Sequence, residues 1–285
     1  MPHGEPLADR IAIVTGGSRG IGLAIAKRLA EDGVRIVVAA RSGEDAESAA
    51  AEIVNRGGEA LAVACDVRKI GDVQRLVEQT IAHFGQIDIV VNNAGISPKH
   101  AAPEEIDEET WDAILDTNLK GAFFLSIAAA PGMISRGSGV IVNIASIAGV
   151  MPIALESAYC ASKAGMIGLT KALALDWARH GIRVHAVAPG YIATEMNAGV
   201  RATGETLIGR GVTTASPGLS PEEAFQLSIY SGVVGRTLLG RFGLPEEVAE
   251  VVAFLASDRV GYMTGAVTFV DGGWTIGDMA EVRTR

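Results

Sequence analysis

The sequence predicts an α/β fold in which a doubly wound parallel sheet of seven strands carries helices on both faces. Three observations support this fold class. Short apolar segments alternate with amphipathic helical stretches, many of the 35 glycines lie at segment ends, and we find no internal repeat or linker-like tract in the 285 residues. Near-continuously apolar strands are typical of parallel sheets that are covered on both faces. We therefore expect a single domain spanning residues 1–285.

The predicted strands are short, rich in β-branched residues and bounded by glycine or polar residues. They span residues 10–15, 34–40, 60–64, 87–91, 140–144, 182–188 and 266–270. The helical stretches between them span residues 21–32, 44–55, 70–84, 108–134 with an interruption, 157–180 and 245–257. Residues 196–240 depart from this alternation because their apolar residues fit no single period. A stretch of this length without a clear period is expected to form a lid or substrate-binding insert.

The composition restricts the partners of the chain. The formal net charge is -9 and lysine and arginine are not clustered, which argues against a nucleic-acid partner. The most apolar later run, residues 122–133, is short and contains Pro131, so we expect no membrane anchor. Cys65 and Cys160 lack ligand-like spacing and predict reduced thiols in a cytoplasmic protein. His180 and His185 have no third ligand-like neighbour, and no metal site is expected.

A glycine-rich turn with the sequence TGGSRGIG, residues 15–22, joins the first predicted strand to the first helix. Glycine lets the backbone approach a pyrophosphate, and the helix N-terminus offers unpaired N–H groups and partial positive charge. This position favours dinucleotide binding over a merely structural turn. The residues expected to line the site are Gly16, Ser18, Arg19, Gly20, Ile21 and Gly22.

The end of the second predicted strand indicates which dinucleotide binds. Sites that select NAD place an Asp or Glu here to accept hydrogen bonds from the ribose 2′-hydroxyl. Ala40 occupies that position, and Arg41 and Ser42 follow it. Arg41 and Arg19 could converge on a 2′-phosphate, with Ser42 adding a hydroxyl. We therefore predict NADP(H) in preference to NAD(H), the alternative being that both arginines are simply solvated.

Two further motifs follow predicted strands. Residues 92–95, Asn-Asn-Ala-Gly, follow the fourth strand, where small residues would leave room for a ribose or adenine; a polar strand-end turn is the alternative. Ser146 ends the fifth strand, and Tyr159 and Lys163 are four residues apart and so share one helical face. A neighbouring ammonium favours the phenolate, so Lys163 is expected to lower the pKa of Tyr159 toward a useful acid/base range.

Together these motifs resemble the short-chain dehydrogenase/reductase family, from residue 10 to about residue 274, and in particular its 3-oxoacyl-[acyl-carrier-protein] reductase-like branch. The resemblance implies a three-layer Rossmann fold and hydride transfer between a nicotinamide and a carbonyl or secondary alcohol. It implies that Tyr159 exchanges the substrate proton and that Ser146 hydrogen-bonds the substrate oxygen. Lys163 would hold the nicotinamide ribose, and Asn118 would support a proton-relay water.

The resemblance also implies further cofactor contacts. Asp66, with Val67 beside it, would contact the adenine. In the segment that starts at Pro189, the backbone of Ile192 and the hydroxyl of Thr194 would meet the carboxamide. The positions that match the family's cofactor motifs here are Asn93, Ala94, Gly95, Pro189, Gly190, Ile192 and Thr194.

The sequence leaves alternatives for the oligomeric state, the function class and the substrate. The resemblance implies a homotetramer, and apolar residues 122–130 and 164–175 permit one, although they could simply be core. A catalytically silent nucleotide-binding scaffold, and a methyltransferase or epimerase on a similar sheet, are the rival functions; Tyr159 and Lys163 favour the oxidoreductase. A moderately apolar ketone or alcohol fits the apolar insert, and a 3-oxoacyl thioester, a sugar or a polyol also remains open. The apolar residues concerned are Met151, Leu155, Met196, Leu207, Ile208, Val212, Leu219, Phe225, Leu227, Ile229 and Tyr230.

Overall fold

The computed structural model describes residues 7–97, 100–214 and 216–277, with the side chain of Met196 outside the described part. Its strands are β1 (Ile11–Thr15), β2 (Arg35–Ala40), β3 (Ala60–Ala64), β4 (Ile89–Asn92), β5 (Gly139–Ile144), β6 (Ile182–Pro189) and β7 (Val267–Val270). They form one sheet in the order β3-β2-β1-β4-β5-β6-β7, and every neighbouring pair is parallel. The prediction of a seven-stranded parallel sheet is confirmed.

Helices cover both faces of this sheet. They are α1 (Gly20–Glu31), α2 (Gly43–Asn55), α3 (Ile70–Phe84), α4 (Glu108–Leu115), α5 (Gly121–Arg136), α6 (Ser157–Trp177), α7 (Ala198–Gly209), α8 (Pro221–Arg236) and α9 (Pro245–Ala256). Residues of α1, α2 and α9 form one core with the sheet, and residues of α3, α5 and α6 form the other. Strand β1 shows why the sheet has two cores, since Ala12 and Val14 face the first and Ile11 and Ile13 face the second.

The chain leaves β1 in one direction toward β2 and β3, and later returns to place β4 on the other side of β1. Open α/β sheets bind their ligands at the carboxyl ends of the strands where the strand order reverses. The fold therefore puts the glycine-rich turn after β1 and the Asn-Asn-Ala-Gly segment after β4 side by side at one edge of the sheet.

The long helical stretch predicted near the middle of the chain runs from α4 into α5 through a π-helical segment, Asp116–Lys120. Pro131 lies inside α5 without ending it. The whole stretch, Glu108–Arg136, is long and apolar enough to cross a membrane by length and composition, and 44% of its most apolar part is buried. Leu125 and Met133 are fully buried in the core that α5 shares with α3, so one side of α5 packs into that core.

The predicted insert, residues 196–240, contains α7 and α8, which pack against each other. Ala215, within it, lies outside the described residues. Ser220 Oγ accepts a hydrogen bond from the Glu223 amide, and the Glu223 carboxylate accepts one from the Ser220 amide, with Pro221 at the first helical position. This capping box is visible in the sequence and predicts a helix start. The pattern of apolar residues does not predict these two helices, because a glycine stands at their contact where an apolar side chain would be expected. A Cβ on Gly204 would lie 2.1 Å from the Tyr230 side chain.

Candidate active site

The glycine-rich turn is shaped for close backbone approach. A Cβ on Gly22 would lie 2.2 Å from the Gly16 carbonyl oxygen and 2.4 Å from Asn93 Nδ2, so only glycine fits there. Asn93 Nδ2 donates to the carbonyl oxygens of Thr15 (2.9 Å) and Gly16 (3.1 Å). The amides of Asn93 and Ala94 donate to Thr15 Oγ1 at 3.0 and 3.1 Å. Asn93 and Ala94 thus lie beside the turn, and both hold its shape.

The N-terminus of α1 is open to an anion. Arg19 is the capping residue, its backbone is extended, its side chain makes no capping hydrogen bond, and the first turn of α1 contains no acidic residue. Ser18 and Ile21 are half-buried on either side of it. Unpaired N–H groups and the helix dipole at this position fit the pyrophosphate of a dinucleotide, and Gly22 keeps the cradle free of side chains.

The adenosine end of the crevice contains exposed charges. Arg41 is exposed after β2, while Ser42 Oγ accepts a hydrogen bond from the Asp45 amide at 3.1 Å and caps α2. Arg19 Nη1 lies 3.4 Å from Glu195 Oε2, and the two side chains are 71% and 74% exposed. The sequence predicts that Arg19 and Arg41 converge on a phosphate, but it does not indicate the contact of Arg19 with Glu195, which follows Thr194 in the chain.

Asp66 and Val67 follow β3 on the same edge. Arg68 donates two hydrogen bonds to the Asp66 carboxylate, from Nε to Oδ1 at 2.9 Å and from Nη2 to Oδ2 at 2.6 Å. These hydrogen bonds lower the pKa of Asp66. Val67 is buried against Gly121, where a Cβ would lie 2.8 Å from the Val67 side chain. Arg68 therefore orients the predicted adenine contact, a role that the sequence pattern did not indicate.

Tyr159, Ser146 and Lys163 come together at the carboxyl end of β5. Ser146 is buried and its Oγ accepts a hydrogen bond from the Ala148 amide at 3.1 Å. Lys163 is 4% exposed, and its Nζ donates to the Ile144 carbonyl at 2.9 Å and lies 5.6 Å from the centre of the Tyr159 ring. Burial lowers the pKa of Lys163 to about 8.

The pKa of Tyr159 differs from the expectation. Burial raises it to about 12, the neighbouring Ser146 hydroxyl lowers it in part, and the charge of Glu156 raises it further. The expectation that the pKa of Tyr159 falls toward a useful acid/base range is wrong for this structure, because desolvation of the phenol is the largest effect and the Lys163 ammonium donates to the Ile144 carbonyl. Tyr159 is therefore a protonated phenol at neutral pH.

Asn118 lies in the π-helical segment between α4 and α5 and is fully buried. Its Oδ1 accepts from the Ile96 amide at 2.8 Å, and its Nδ2 donates to the Ile96 carbonyl at 2.9 Å and to Ser162 Oγ at 3.0 Å. Ser162 Oγ in turn donates to the Tyr159 carbonyl at 2.7 Å. A Cβ on Gly95 would lie 3.4 Å from Asn118 Oδ1 and 3.5 Å from Lys163 Nζ. Asn118 thus ties the segment after β4 to α6, and Ser162 is a link that spacing alone did not reveal.

The segment after β6 closes the crevice on the other side. The Gly190 amide donates to the Val270 carbonyl at 2.9 Å, next to Pro189 at the end of β6. Ile192 is buried, and its carbonyl accepts from Asn197 Nδ2 at 2.7 Å. Thr194 faces the glycine-rich turn, since a Cβ on Gly20 would lie 3.5 Å from its Cγ2. The predicted residues of this segment therefore lie at the crevice, with the Ile192 carbonyl already hydrogen-bonded.

Comparisons with known proteins agree with this geometry. A family model described as short chain dehydrogenase matches residues 10–205, and one described as Enoyl-(Acyl carrier protein) reductase matches residues 212–275. The first model covers the glycine-rich turn and the Ser-Tyr-Lys cluster, and the second covers α8, α9 and β7.

Similar proteins extend over nearly the whole chain. A cis-4-hydroxycyclohexanecarboxylate dehydrogenase of Sinomonas cyclohexanicum is 38% identical over 95% of this chain and 99% of its own length. A 3-oxoacyl-[acyl-carrier-protein] reductase of Synechocystis is 39% identical over 94% and 97%. The structure of a putative NAD(P) dependent gluconate 5-dehydrogenase from Beutenbergia cavernae, with bound NADP at low occupancy, superposes with a TM-score of 0.82 at 35% identity, covering 96% of this chain and 100% of that one. The chain therefore belongs to the short-chain dehydrogenase/reductase family of NAD(P)-dependent oxidoreductases.

Proposed function

We propose that this protein is an NADP(H)-dependent oxidoreductase in which Tyr159 is the acid that protonates a carbonyl substrate and, in the reverse direction, the base for a secondary alcohol. One observation carries the proposal: the half-buried Tyr159 phenol lies beside a buried hydroxyl, Ser146, and a buried amine, Lys163, at the carboxyl ends of the strands. The names of the relatives support the same reaction class, since they include dehydrogenases and a reductase.

The cofactor site fits a dinucleotide on the evidence of the chain itself. The cradle that a Cβ on Gly22 would fill and the uncapped N-terminus of α1 would hold the pyrophosphate, and Asp66 would face the adenine. When bound, the nicotinamide would supply or accept the hydride. Lys163, beside Gly95, would hold the nicotinamide ribose, and Thr194, beside Gly20, would hold the carboxamide.

The proton chemistry follows from the two pKa values. With a pKa of about 12, the Tyr159 phenol keeps its proton at neutral pH and can donate it to a carbonyl oxygen. The Ser146 hydroxyl can hold the same oxygen in place. The ammonium form of Lys163 stabilises the phenolate left after donation, and because its pKa is about 8 this form persists only up to mildly alkaline pH.

The preference for NADP(H) is part of the proposal. Ala40, at the end of β2, offers no carboxylate to a 2′-hydroxyl, and the exposed Arg41 guanidinium can pair with a 2′-phosphate. The Ser42 oxygen is used as an acceptor by the Asp45 amide, and its hydroxyl hydrogen is still able to donate to a phosphate. A solved relative that holds NADP supports this choice.

A homotetramer is also proposed. Leu175 on α6 is 82% exposed, and Ile127 and Ile134 on α5 are partly exposed, which leaves apolar surface on two neighbouring helices. Light scattering should give four times the monomer mass, and a monomer at micromolar concentration would refute this part of the proposal.

A carbonyl and alcohol panel tests the proposed function. The change in nicotinamide absorbance should appear with wild-type protein and vanish in Tyr159→Phe, whose cofactor dissociation constant should stay unchanged. Cofactor binding with no turnover of any member would instead favour the nucleotide-binding scaffold.

A further inference from the structure

Three elements meet on the substrate side of Tyr159. The loop after β4 contributes His100, and the residue directly before α6 is Glu156. The distance from His100 Nδ1 to Glu156 Oε1 is 3.5 Å. The Ala101 amide donates to the Leu155 carbonyl at 3.1 Å, which fixes this loop to the start of α6. The insert joins them through Phe225 of α8, whose ring centre lies 6.1 Å from that of His100. Glu156 thus lies where the loop, α6 and the insert converge.

Glu156 is close to the reacting groups. It precedes Tyr159 by three residues, its side chain is 12% exposed, and its charge raises the pKa of both Tyr159 and Tyr191. Burial in turn raises the pKa of Glu156, opposed in part by His100. Met151 and Leu155 predict an apolar surface on this side of the site, yet the structure places an acidic side chain there, while Leu155 is 44% exposed.

A purely structural role does not explain this carboxyl. Glu156 is the residue before the first turn of α6, but its side chain makes no capping hydrogen bond. Among the described residues its contact is His100 at 3.5 Å, which is long for a hydrogen bond. No hydrogen bond of the Glu156 carboxylate is found among the described residues, so its oxygens can accept one from a group that binds beside Tyr159.

We propose that Glu156 is a specificity residue that accepts a hydrogen bond from a second hydroxyl of the substrate, adjacent to the carbon that is oxidised or reduced. The favoured substrates are then vicinal diols, polyols and the matching α-hydroxy ketones. This inference rests on the proposed oxidoreductase function and narrows its substrate class.

The same carboxylate disfavours the other substrates that the sequence left open. A 3-oxoacyl thioester has carbonyl oxygens on both sides of its central carbon and no hydroxyl to donate, so one of them would face the Glu156 oxygens. A plain ketone would offer the carboxylate no hydrogen-bond donor. Hydrogen bonds to a charged acceptor are strong enough for on the order of tenfold to hundredfold discrimination.

The test compares kcat/KM for cis-1,2-cyclohexanediol and for cyclohexanol, which differ by the one hydroxyl. Wild type should prefer the diol by about tenfold or more. Glu156→Gln keeps a weaker neutral acceptor and Glu156→Ala keeps none, so the ratio of kcat/KM for the diol to that for cyclohexanol should fall in that order. The matched control is Glu104→Gln, an exposed carboxylate outside the cleft, which should behave as wild type.

A binding measurement separates recognition from catalysis. Calorimetric titration of the diol into Tyr159→Phe and into Tyr159→Phe/Glu156→Ala should show a dissociation constant about tenfold weaker in the double variant. Equal preference for the two alcohols in wild type, or an unchanged ratio in both Glu156 variants, would overturn the assignment. Failure of wild type and Glu104→Gln to turn over any alcohol or ketone would overturn the proposed function, and this inference with it.

Discussion

The two ends of the nucleotide crevice hold their polar side chains in different ways. At the catalytic end, Asn118 is fully buried with three hydrogen bonds and Lys163 is 4% exposed. At the adenosine end, Arg41 is exposed and Arg19 is 71% exposed in a pair with Glu195. Buried and fully bonded groups are already in position for reaction, whereas exposed cations must be ordered by the ligand. Substitutions should therefore cost far more at the catalytic end.

The largest effect is expected from Tyr159→Phe. Removing the proton donor while keeping the ring should lower kcat by between about 10² and 10⁴-fold, with the cofactor dissociation constant unchanged. Steady-state kinetics and fluorescence titration of the cofactor measure the two quantities. Tyr262→Phe is the control, since Tyr262 is fully exposed, and an equal loss in that variant would contradict a specific role for Tyr159.

Asn118→Ala should affect both stability and rate. The substitution leaves the Ile96 amide and carbonyl without their side-chain partner, which should lower the free energy of unfolding by about 1–3 kcal/mol. The rate should fall as well, because Asn118 connects the segment at Gly95 to α6. Denaturant titration against Asn55→Ala, an exposed control at the end of α2, measures the first effect; equal stability of the two variants would refute it.

The pH dependence tests Lys163. Since the pKa of Lys163 is about 8 and that of Tyr159 about 12, kcat/KM for carbonyl reduction should be level below pH 8 and fall above it, as the ammonium loses its proton while the phenol keeps its own. In Lys163→Met, kcat/KM should be low at every pH, and its fall above pH 8 should disappear. Lys171 is an exposed lysine on the same helix, and Lys171→Met should keep the fall in kcat/KM above pH 8. If this fall persists in Lys163→Met, another group must cause it.

Arg41→Ala should reduce the preference for NADP(H) over NAD(H) by about tenfold, because one charge-assisted contact to the 2′-phosphate is lost. The ratio of kcat/KM for the two cofactors measures the preference, with Arg56→Ala at the exposed end of α2 as the control. An NAD(H) preference in wild type would show that Ala40 and Arg41 do not select the phosphate.

The smallest effect is expected from Glu195→Gln. Exposed ion pairs contribute about 0–1 kcal/mol, so freeing Arg19 should tighten NADP(H) binding by no more than about fivefold and leave NAD(H) binding unchanged. Calorimetry with both cofactors tests this. Weaker NADP(H) binding in the variant would mean that Glu195 holds Arg19 in the position that the phosphate requires.

The sequence predicts features that depend on neighbouring residues, but not contacts between residues that are far apart in the chain. The strands and the glycine-rich turn follow from local rules, because buried parallel strands are apolar and a Cβ on Gly22 has no room. Tyr159 and Lys163 follow from helical spacing. The pairing of Arg19 with Glu195 and the approach of His100 to Glu156 join residues far apart in the chain, and no periodicity indicates such contacts. The Tyr159 pKa depends on burial, which spacing does not measure.

Proton delivery by Tyr159 at a preorganised site can be measured by single-turnover oxidation of the bound reduced cofactor in H₂O and D₂O. With a carbonyl substrate that wild type accepts, the decay of nicotinamide absorbance should be slower in D₂O for wild type and for Tyr262→Phe. In Tyr159→Phe the decay should be slower than in wild type by at least about a hundredfold at full cofactor occupancy. A Tyr159→Phe protein that oxidises its bound cofactor at the wild-type rate, with the wild-type isotope effect, would contradict the account.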